Sequence, residues 1–508
     1  MNAFNNEAVY NSLSLKWLGI DTYKESVIYM QRDCLVCQTE GFEMHTRIRV
    51  TLGDKSILAT LNHIDNDILG HHQASLSIYA WKLLNASEGD VIKLSHPKPL
   101  QSLSFVRSKI YGHKLNSTEV MQIIEDIAQG RYSDIQVATF LTACAGGRLD
   151  ETEIIHLTQS MIQVGANLSW PQEIVVDKHC VGGLPGNRTT PIVVAIVAAF
   201  GMMIPKTSSR AITSPAGTAD TMETLAPVDL DIKAMQRVVE QENGCIVWGG
   251  SVGLSPADDI LIRVERSMDV DSEGQLIASV LSKKISSGST HIVIDIPVGP
   301  TAKIRSIDTF ESLQHLFHAV GSAMGVQLRI IKTDGLQPVG QGIGPALEAK
   351  DVLAVLLNQS NAPQDLRKRA LMLAGVILEF SPSVATGQGM KLATQLLVSG
   401  KAWRKFLAIC NAQGGLREPT TAAYTQAITA EHRGKVINID NRNLSRLAKL
   451  AGAPHDKAAG VVLHTPINTV VEKGQPLYTI HSESRGALRY ALSLLNQIST
   501  VVQVETSK

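Results

Sequence analysis

Hydrophobic and polar residues change their spacing several times along this chain of 508 residues. Near the N-terminus, apolar residues alternate with polar ones from Met44 to Leu52, and a Gly-Asp pair follows. Alternation of this kind predicts a half-buried β-strand that ends in a turn. A second strand-like run covers residues 90–94. We therefore expect a small β-rich N-terminal domain over residues 1–95.

The spacing becomes helical in the next segment. Apolar residues recur at i, i+3, i+4 and i+7 through residues 120–127, which places them on one face of a helix. Ser133 and Asp150 each stand three residues before a Gln or Glu, which is the capping-box pattern of a helix start. These signals predict a helical domain over residues 96–170.

Strand and helix patterns then alternate over residues 171–425. A helical pattern at residues 232–243, for example, ends at Gly244 and is followed by an apolar strand pattern. Such alternation predicts a sheet with helices on its faces, the large α/β domain of this chain. Short strand patterns separated by turn signals return over residues 426–508, which we expect to form a further domain.

Composition narrows the possible function classes. Hydrophobic residues make up 44% of the chain and charged residues 19%, as in globular proteins with packed cores. Lys+Arg and Asp+Glu both number 47, so no net positive field attracts nucleic acid or an anionic membrane. The first residues lack the basic head and apolar run of a signal peptide, and the most apolar stretch, residues 191–205, is shorter than the ~20 residues of a membrane helix. We expect a cytoplasmic protein that binds neither nucleic acid nor membranes.

The cysteines are scattered along the chain and do not indicate a disulfide framework. Cys34 and Cys37 form one C-x-x-C pair, which is a weak zinc signal because no second pair accompanies it. Two ordinary thiols are the better interpretation. His63, His71 and His72 are better assigned to a solvated loop than to a metal, so no metal site is predicted.

One segment carries the strongest chemical signal. Residues 177–190, Asp-Lys-His-Cys-Val-Gly-Gly-Leu-Pro-Gly-Asn-Arg-Thr-Thr, follow a strand-like run and lead into an apolar stretch. A strand, a glycine-rich loop with a Lys and an Arg, and a helix can cradle an anion, because free N–H groups and the dipole at a helix start favour phosphate. The spacing matches neither the nucleotide P-loop nor the Rossmann fingerprint. A tight turn without a ligand is the alternative.

A second segment strengthens the phosphate interpretation. Residues 205–220 place several Ser and Thr hydroxyls, a Lys and an Arg around a turn. Hydroxyl and guanidinium groups are natural partners of phosphate oxygens. A solvated Ser/Thr loop is the alternative, but two such segments in one α/β region favour a shared anion site. A third glycine-rich run at residues 340–345 lacks the dinucleotide fingerprint, and we expect it to be a loop before a helix.

The segments at residues 177–190 and 205–220 resemble the thymidine/pyrimidine-nucleoside phosphorylase family, and most closely its long branch, which includes AMP phosphorylase. Further segments carry the same resemblance, namely residues 248–250, 254–259, 278–284 and 291–299. The similarity runs from about residue 103 to the C-terminus and more loosely through the N-terminal extension.

The resemblance implies a fold class of α/β plus α. A helical domain and a large α/β domain would flank a cleft, with a small β-rich N-terminal domain and an α+β C-terminal domain. Residues from about 256 to 288 would join the helical domain. The resemblance also implies that inorganic phosphate is a co-substrate and that no metal or organic cofactor is required.

The same resemblance assigns the phosphate site. Its residues would be Lys178, Ser209 and Thr218, with the backbone near Gly183. The family usually has Ser where this chain has Cys180, and a thiol is the poorer hydrogen-bond donor. One phosphate contact is therefore in question at that position.

The base-binding side chains implied by the resemblance are Arg263, Ser279 and Lys283. Ser279 and Lys283 are four residues apart on an expected helix and so share a face, although this spacing is also ordinary for an exposed helix. Arg263 by itself would be interpreted as a surface salt-bridge residue. In the AMP-phosphorylase branch, the acid that protonates the departing base matches Asp271, and Lys303 is a further substrate contact.

His179 is the rival acid in the pyrimidine-specific branch. A loop histidine satisfied by the backbone is the alternative interpretation. His179 beside Cys180 could also suggest a Cys/His nucleophile, but adjacent residues rarely place their side chains together.

The segment from residue 208 to 214 offers more hydroxyl and cationic groups than one inorganic phosphate needs. With Lys303 it could hold a second phosphate, the 5′-phosphate of a nucleotide. The substrate-binding residues expected in this segment are Arg210, Ala211, Ile212, Thr213 and Ser214.

We therefore expect a pentosyltransferase that cleaves the N-glycosidic bond of a nucleoside or nucleoside monophosphate with phosphate, in a homodimer or larger homo-oligomer. By family label the reaction converts thymidine and phosphate to thymine and 2-deoxyribose 1-phosphate, and the alternative converts AMP to adenine and ribose 1,5-bisphosphate. A phosphoribosyltransferase is an alternative of another class, but it would need carboxylates for Mg²⁺–pyrophosphate beside the glycine loop. A scaffold whose site has decayed through Cys180 is the non-enzymatic alternative.

Overall fold

The computed structural model describes residues 11–211, 214–268, 272–495, 497–498 and 501–506. The chain forms two compact units. The first contains residues 1–148 and 260–271, and the second contains residues 149–259 and 272–508.

A closed six-stranded β-barrel forms the N-terminal part of the first unit. Its strands follow the order β1-β5-β2-β4-β3-β6 around the barrel. The elements are β1 (Ser12–Leu15), β2 (Val27–Gln31), α1 (Leu35–Glu40), β3 (Arg47–Leu52), β4 (Lys55–Ile64), β5 (Gln73–Leu76), α2 (Ile78–Leu84) and β6 (Val91–Ser95). Closure pairs the edges of the sheet, and alternate residues of each strand fill the interior with apolar side chains.

The barrel consists of two copies of one strand–strand–helix–strand arrangement. The first copy is β1, β2, α1 and β3, and the second is β4, β5, α2 and β6. The strand pairings of the two copies correspond. β1 is parallel to β5, and its counterpart β4 is parallel to β2, which is the counterpart of β5. In the same way, β1 is antiparallel to β6 as β4 is antiparallel to β3. The two copies are therefore related by an approximate two-fold axis.

The two short helices begin in the same way. Cys34 caps α1 and Ser77 caps α2, each with extended backbone at the cap position. The Cys37 N–H donates to Cys34 Sγ at 3.3 Å, and the Ala80 N–H donates to Ser77 Oγ at 3.3 Å. Cys34 is thus the counterpart of Ser77, and Cys37 is the counterpart of Ala80.

Three helices and part of a fourth complete the first unit. They are α3 (Ser102–Ile110), α4 (Ser117–Ala128), α5 (Asp134–Cys144) and the C-terminal part of α11 (Pro256–Met268). The predicted capping box at Ser133 is present, since its side chain accepts the Gln136 N–H and Gln136 accepts the Ser133 N–H. The apolar stripe of residues 120–127 is buried as predicted.

The second unit contains the α/β sheet and the C-terminal strands. Its helices are α6 (Glu151–Gln163), α7 (Thr189–Phe200), α8 (Thr218–Glu223), α9 (Ile232–Glu242), α10 (Gly249–Val252), α12 (Glu273–Ser286), α13 (Ile307–Ala323), α14 (Pro345–Leu356), α15 (Gln364–Leu378), α16 (Gly389–Val398), α17 (Lys401–Ala412), α18 (Asn441–Leu450) and α19 (Arg485–Leu495). Its strands are β7 (Val176–Cys180), β8 (Ile204–Ser208), β9 (Gly244–Trp248), β10 (His291–Val298), β11 (Gln327–Asp334), β12 (Gly342–Ile343), β13 (Tyr424–Thr429), β14 (Gly434–Ile439), β15 (Gly460–Leu463), β16 (Val470–Val471), β17 (Pro476–Ser482) and β18 (Val502–Thr506).

Five parallel strands lie side by side in the second unit. β11, β10 and β7 form one parallel sheet, and β8 and β9 form another. A parallel bridge between Val175 and Met203 joins the two sheets at the start of β7 and β8. The carboxyl ends of all five strands therefore point the same way, which is the edge where α/β proteins place ligands.

The longest apolar run in the chain forms helix α7, which is buried on all sides. All residues from 189 to 198 are buried, and α14, α15, α16 and α17 pack around them. A helix covered on every side needs no polar face. In the described residues, no helix is long and apolar enough to cross a membrane.

The C-terminal strands form two antiparallel sheets. One has the order β12-β15-β17-β13 and the other β16-β14-β18. Helices α18 and α19 pack together beside these strands. The expected fold class, with a helical domain, an α/β domain and an α+β C-terminal domain, is confirmed. The domain boundaries given from the sequence remain predictions.

Replacing Ser77 by Ala should loosen helix α2. The Ser77 hydroxyl caps Ala80 N–H, accepts the Val27 N–H at 3.2 Å and donates to the Glu25 carbonyl at 2.9 Å. Loss of a helix cap typically costs about 0.5–2 kcal/mol. We expect hydrogen–deuterium exchange of residues 78–84 to accelerate in Ser77→Ala. Exchange unchanged from the wild type would contradict this role, and the exposed Ser87→Ala serves as the control.

Candidate functional site

Strand β7 is longer than the sequence pattern predicted. The apolar run ends at Val176, but the strand continues through Cys180, where Cys180 pairs with Asp295 of β10. The polar residues from 177 to 179 belong to the strand because buried partners, rather than hydrophobic packing, compensate their polarity. Lys178 and His179 therefore lie on a rigid element and not in the glycine-rich loop.

Lys178 is a buried cation at this end of the sheet. Its side chain is 2% exposed, and its Nζ donates to Thr189 Oγ1 at 2.8 Å. The nearest oxygen of the buried Asp295 carboxylate is 3.9 Å away. Thr189 starts α7, so Lys178 connects the strand to the helix start. Because Thr189 accepts a hydrogen bond from Lys178, its own hydroxyl proton remains available for a further acceptor.

A second group of buried charges surrounds Asp177. This fully buried carboxylate receives Lys206 Nζ at 3.1 Å and lies 3.0 Å from Lys284 Nζ. β7, β8 and α12 each contribute one of the three residues. Burial lowers the pKa of Lys284 to about 7, although Asp177 acts in the opposite direction. Burial therefore makes the neutral amine of Lys284 easier to form than that of an exposed lysine.

His179 is surrounded by these cations. Burial is the largest cause of a pKa well below the ordinary value for histidine, and Lys284, Lys206 and Lys283 lower it further. His179 is consequently a neutral imidazole at pH 7, which can donate or accept a hydrogen bond but carries no readily released proton.

The loop after β7 requires glycine at two positions. Gly183 has φ +81°, and a Cβ there would lie 2.2 Å from the Lys303 backbone nitrogen. Gly186 has φ +67°, and a Cβ there would lie 2.5 Å from the Val339 carbonyl oxygen. Only glycine fits both the backbone conformation and the space. The loop therefore packs closely against two other segments of the second unit.

Arg188 connects the glycine-rich loop to the second predicted segment. Its Nη1 donates to Thr218 Oγ1 at 2.7 Å, and its Nη2 donates to the Ala216 carbonyl at 2.9 Å. Its Nε donates to Glu348 at 2.7 Å, and that carboxylate is 1% exposed. Thr218 therefore resembles Thr189: each hydroxyl accepts a hydrogen bond from a buried cation and keeps its proton for another acceptor.

From the sequence, Arg188 and Ser208 were only members of the expected anion-binding segments, and none of Ser208, Thr189 and Arg188 was named as an individual site residue. Ser208 ends β8, and its hydroxyl is buried without a hydrogen-bond partner, as is the Asn187 side-chain oxygen. Buried polar groups are normally hydrogen-bonded, so such atoms mark a place that a ligand or water could satisfy. The signal in the sequence was the hydroxyl-rich segment itself, which did not distinguish Ser208 from Ser209.

The other residues of that segment make local contacts. The Ser209 carbonyl accepts the Ala219 N–H at 3.2 Å, and the Ala211 N–H donates to Asp220 at 2.6 Å. Ser214 Oγ donates to the Ala216 carbonyl at 2.9 Å. These bonds fold the segment back on the start of α8. Ile212 and Thr213 lie outside the described residues.

Arg210 is held by carboxylates. It forms a two-bond pair with Glu223 at 2.8 and 2.9 Å and lies 3.3 Å from Asp229. Its guanidinium also lies over the Trp248 ring at 4.8 Å. The hydrogen bond from Arg210 is the largest cause that lowers the pKa of Glu223 to about 2, and Lys457 contributes as well. The charge of Arg210 is thus compensated within the protein.

Cys180 is a neutral thiol. Burial raises its pKa to about 12, and Asp295 adds to the effect. The Asn187 side-chain amide donates to its sulfur at 3.4 Å. Since the thiolate is the nucleophilic form of cysteine, this environment disfavours covalent catalysis by Cys180.

The predicted base-binding residues fall in both units. Lys283 Nζ donates to Asp258 at 2.6 Å and to Ser279 Oγ at 3.0 Å, so these side chains contact each other in the second unit. Arg263 belongs to the first unit, where it forms a two-bond pair with Asp134 at 2.6 and 2.8 Å. Asp271 lies outside the described residues. Their roles remain predictions.

Comparison with known proteins shows the class. Residues 103–165 match the helical bundle domain of a glycosyl transferase family, residues 172–403 match its a/b domain, and residues 435–501 match the pyrimidine nucleoside phosphorylase C-terminal domain. The crystal structure of anthranilate phosphoribosyltransferase from Thermus thermophilus superposes with a TM-score of 0.50 at 18% identity, over 61% of this chain and 98% of that one. The Saccharomyces cerevisiae enzyme, solved with PRPP and Mg, gives a TM-score of 0.51 at 14% identity, over 62% of this chain and 98% of that one. These likenesses show a shared fold.

Full-length relatives define the family. A protein named "Putative thymidine phosphorylase" from Legionella pneumophila (strain Paris) is 60% identical over 492 residues, which cover 97% of this chain and 95% of that protein. A protein of the same name from Polaromonas sp. (strain JS666 / ATCC BAA-500) is 56% identical over 494 residues, with 97% of each covered. The chain belongs to the thymidine/pyrimidine-nucleoside phosphorylase family of pentosyltransferases.

The ion pairs of Glu223 predict that part of the protein's stability is lost at acid pH. Because its folded pKa is about 2 and its ordinary value 4.5, Glu223 contributes stability above pH 4.5 that is lost as the pH falls toward 2. We expect Glu223→Gln to melt at a lower temperature than the wild type at pH 7, with a difference that shrinks between pH 5 and 3. Differential scanning fluorimetry measures this, and the exposed Glu240→Gln is the control. A difference independent of pH would contradict the ion-pair explanation.

Proposed function

We propose that this protein is a nucleoside phosphorylase that cleaves an N-glycosidic bond with inorganic phosphate, and that thymidine is its first candidate substrate. The reaction would convert thymidine and phosphate to thymine and 2-deoxyribose 1-phosphate. The observation that carries the proposal is a set of donors near the carboxyl ends of β7 and β8. Lys178, Thr189 and Ser208 are buried, and Thr218 is partly buried.

These donors suit a phosphate dianion. Lys178 supplies a positive charge, and the hydroxyls of Thr189 and Thr218 each have a proton left to donate because a buried cation already donates to their oxygen. Ser208 adds a hydroxyl whose oxygen and proton are both without a partner in the protein. Charge-assisted hydrogen bonds of this kind are the strong ones. Phosphate would also favour the charged form of Lys284, whose pKa is about 7.

The chemistry requires phosphate beside the anomeric carbon of the sugar. As the bond to the base breaks, positive charge grows on the sugar ring and negative charge on the base. The bound dianion stabilises the first charge and then forms the new bond. The ammonium of Lys283, held by Asp258 and Ser279, could stabilise the second.

A proton donor for the base remains to be assigned. The family resemblance offers Asp271 and His179. The neutral state of His179 argues against it as a general acid, because its pKa lies well below the usual range. We therefore propose Asp271 as the acid. No metal or organic cofactor takes part in this proposal, and the assembly is expected to be a homodimer or larger.

AMP is the second candidate substrate. The hydroxyl groups of residues 208–214 favour it, because they could receive a 5′-phosphate. The compensation of Arg210 by Glu223 and Asp229 argues in the other direction, since that guanidinium is not available to a second dianion unless those pairs break. We place thymidine first for this reason.

A panel of substrates tests the proposal. Purified protein is incubated with thymidine, uridine or AMP, with and without inorganic phosphate, and the released base is measured by chromatography. We expect thymine release that depends on phosphate and persists with EDTA. Phosphate-independent cleavage, or complete loss of activity with EDTA, would refute phosphorolysis without a metal. Adenine release from AMP with thymidine inert would establish the second candidate instead.

The panel also separates the other classes. A phosphoribosyltransferase would need phosphoribosyl pyrophosphate and Mg²⁺, so addition of both with free base would produce a nucleotide. A decayed scaffold would give no product with any substrate. Either result would replace the proposed function.

Replacing Lys178 should damage phosphate use. Lys178→Met removes the ammonium with little change in side-chain length, and we expect a loss of about 2–5 kcal/mol in transition-state stabilisation, measured as kcat/KM for phosphate. Lys332→Met on β11 of the same sheet is the control, because Lys332 is exposed and should leave kcat/KM unchanged. Near-normal kcat/KM in a folded Lys178→Met protein would remove Lys178 from the phosphate site.

A further inference from the structure

The two halves of the N-terminal barrel provide an internal comparison for the C-x-x-C pair. In the second half, Ser77 caps α2 and Ala80 fills the position three residues later. In the first half, Cys34 and Cys37 occupy the same two positions of α1. The fold therefore needs a side-chain acceptor at the cap and a small apolar residue in the first turn. It does not need a second sulfur.

The two cysteines lie in the first turn of α1. Cys34 Sγ accepts the Cys37 N–H at 3.3 Å. Residues three apart in a first helical turn have Cα atoms about 5 Å apart. A disulfide usually joins Cα atoms about 4.4–6.8 Å apart. The backbone at this site is thus compatible with a bond between Cys34 and Cys37.

The chemical state of Cys34 differs from that of other cysteines in the chain. The hydrogen bond with Cys37 is the largest cause that lowers the pKa of Cys34 to about 7. In contrast, burial raises the pKa of Cys180 and Cys410 to about 12. The N–H that Cys37 donates to the Cys34 sulfur also favours the thiolate of Cys34, which is the form that attacks disulfides.

The pair lies just below the barrel surface. Cys34 is 0% exposed and Cys37 is 5% exposed, but Leu35 between them is 42% exposed. Helix α1 is only six residues long. Cys34, Val36 and Cys37 belong to the apolar interior of the barrel, so a small reagent reaches Cys34 only when α1 opens locally.

We propose that Cys34 and Cys37 are a reversible dithiol–disulfide site whose reaction partner is a low-molecular-weight disulfide such as oxidised glutathione. The Cys34 thiolate attacks one sulfur of the reagent, forms a mixed disulfide and expels one thiolate. The Cys37 thiol loses its proton and attacks Cys34 Sγ, which releases the second thiolate. The protein loses two electrons and two protons, and the reagent is reduced to two thiols.

Mass spectrometry of the full-length protein tests the proposal. The folded protein is equilibrated in buffers with increasing ratios of oxidised to reduced glutathione, alkylated and digested with trypsin. Residues 33–47 form one tryptic peptide that contains Cys34, Cys37 and no other cysteine. At oxidising ratios we expect this peptide without alkyl groups and two hydrogens lighter than the free dithiol. Dithiothreitol followed by alkylation should restore the form with two alkyl groups. A peptide that stays alkylated at every ratio would overturn the proposal, as would oxidation that occurs only after denaturation.

Two single variants separate the roles of the thiols. Cys37→Ala should accumulate the mixed disulfide of Cys34 with glutathione, because the resolving thiol is missing. Cys34→Ser should react much more slowly, because the remaining thiol has a raised pKa. Equal reaction rates of the two variants would contradict the assignment of Cys34 as the attacking thiol.

The double variant Cys34→Ser/Cys37→Ala is the matched control. It gives the first half of the barrel the residues that the second half already has, so it should fold and melt like the wild type. We expect the melting temperature of the wild type, but not that of the double variant, to change between oxidised and reduced glutathione. The same change in both proteins would show that another site is responsible and would overturn the proposal.

Discussion

The candidate site depends on the burial of Asp177 between two lysines. This carboxylate has no exposed surface, and the ammonium groups of Lys206 and Lys284 lie about 3 Å from it. Removing Asp177 would leave two buried amines without a carboxylate, and loss of one member of a buried ion pair typically costs about 3–5 kcal/mol. The three residues come from β7, β8 and α12, so the ion pairs join three elements at the carboxyl end of the sheet.

The same burial of charge determines the state of the surrounding groups. His179 is neutral and Lys284 has a pKa of about 7, because desolvation disfavours a charge on either group. Lys178 lies among these groups and turns toward Thr189, while Arg188 turns toward Thr218. Each cation accounts for one lone pair of a hydroxyl oxygen and leaves its proton to an incoming anion. These two cation–hydroxyl contacts are the arrangement on which the proposed phosphate site rests.

The N-terminal barrel illustrates how a repeated fold can reveal an unusual residue. Ser77 shows what the cap of such a helix requires, and Ala80 shows what the first turn requires. Cys34 meets the first requirement with a weaker acceptor, and Cys37 places a second thiol where the other half has only a methyl group. Because Ser77 and Ala80 satisfy the same capping and packing positions without sulfur, the comparison between the halves separates what the fold requires from what the two thiols add.

The sequence by itself determined the class of each segment and the family of the chain. Alternating and helical spacings predicted the β-rich start, the helices capped at Ser133 and Asp150 and the α/β region, because periodicity depends on which face of an element is buried. The residues of the glycine-rich loop indicated an anion, since that chemistry is local.

Only the tertiary structure decided which polar residues act together. Strand β7 continues through Lys178 and Cys180 because β10 pairs with it and distant charges compensate its polar side chains, and no local pattern contains that information. Arg188 meets Glu348, and Asp177 meets Lys284, across more than a hundred residues of sequence. Ser208 differs from Ser209 only in where its hydroxyl lies. Contacts between residues distant in the chain depend on the packing of whole elements, which is why they could not be predicted from the spacing of residues.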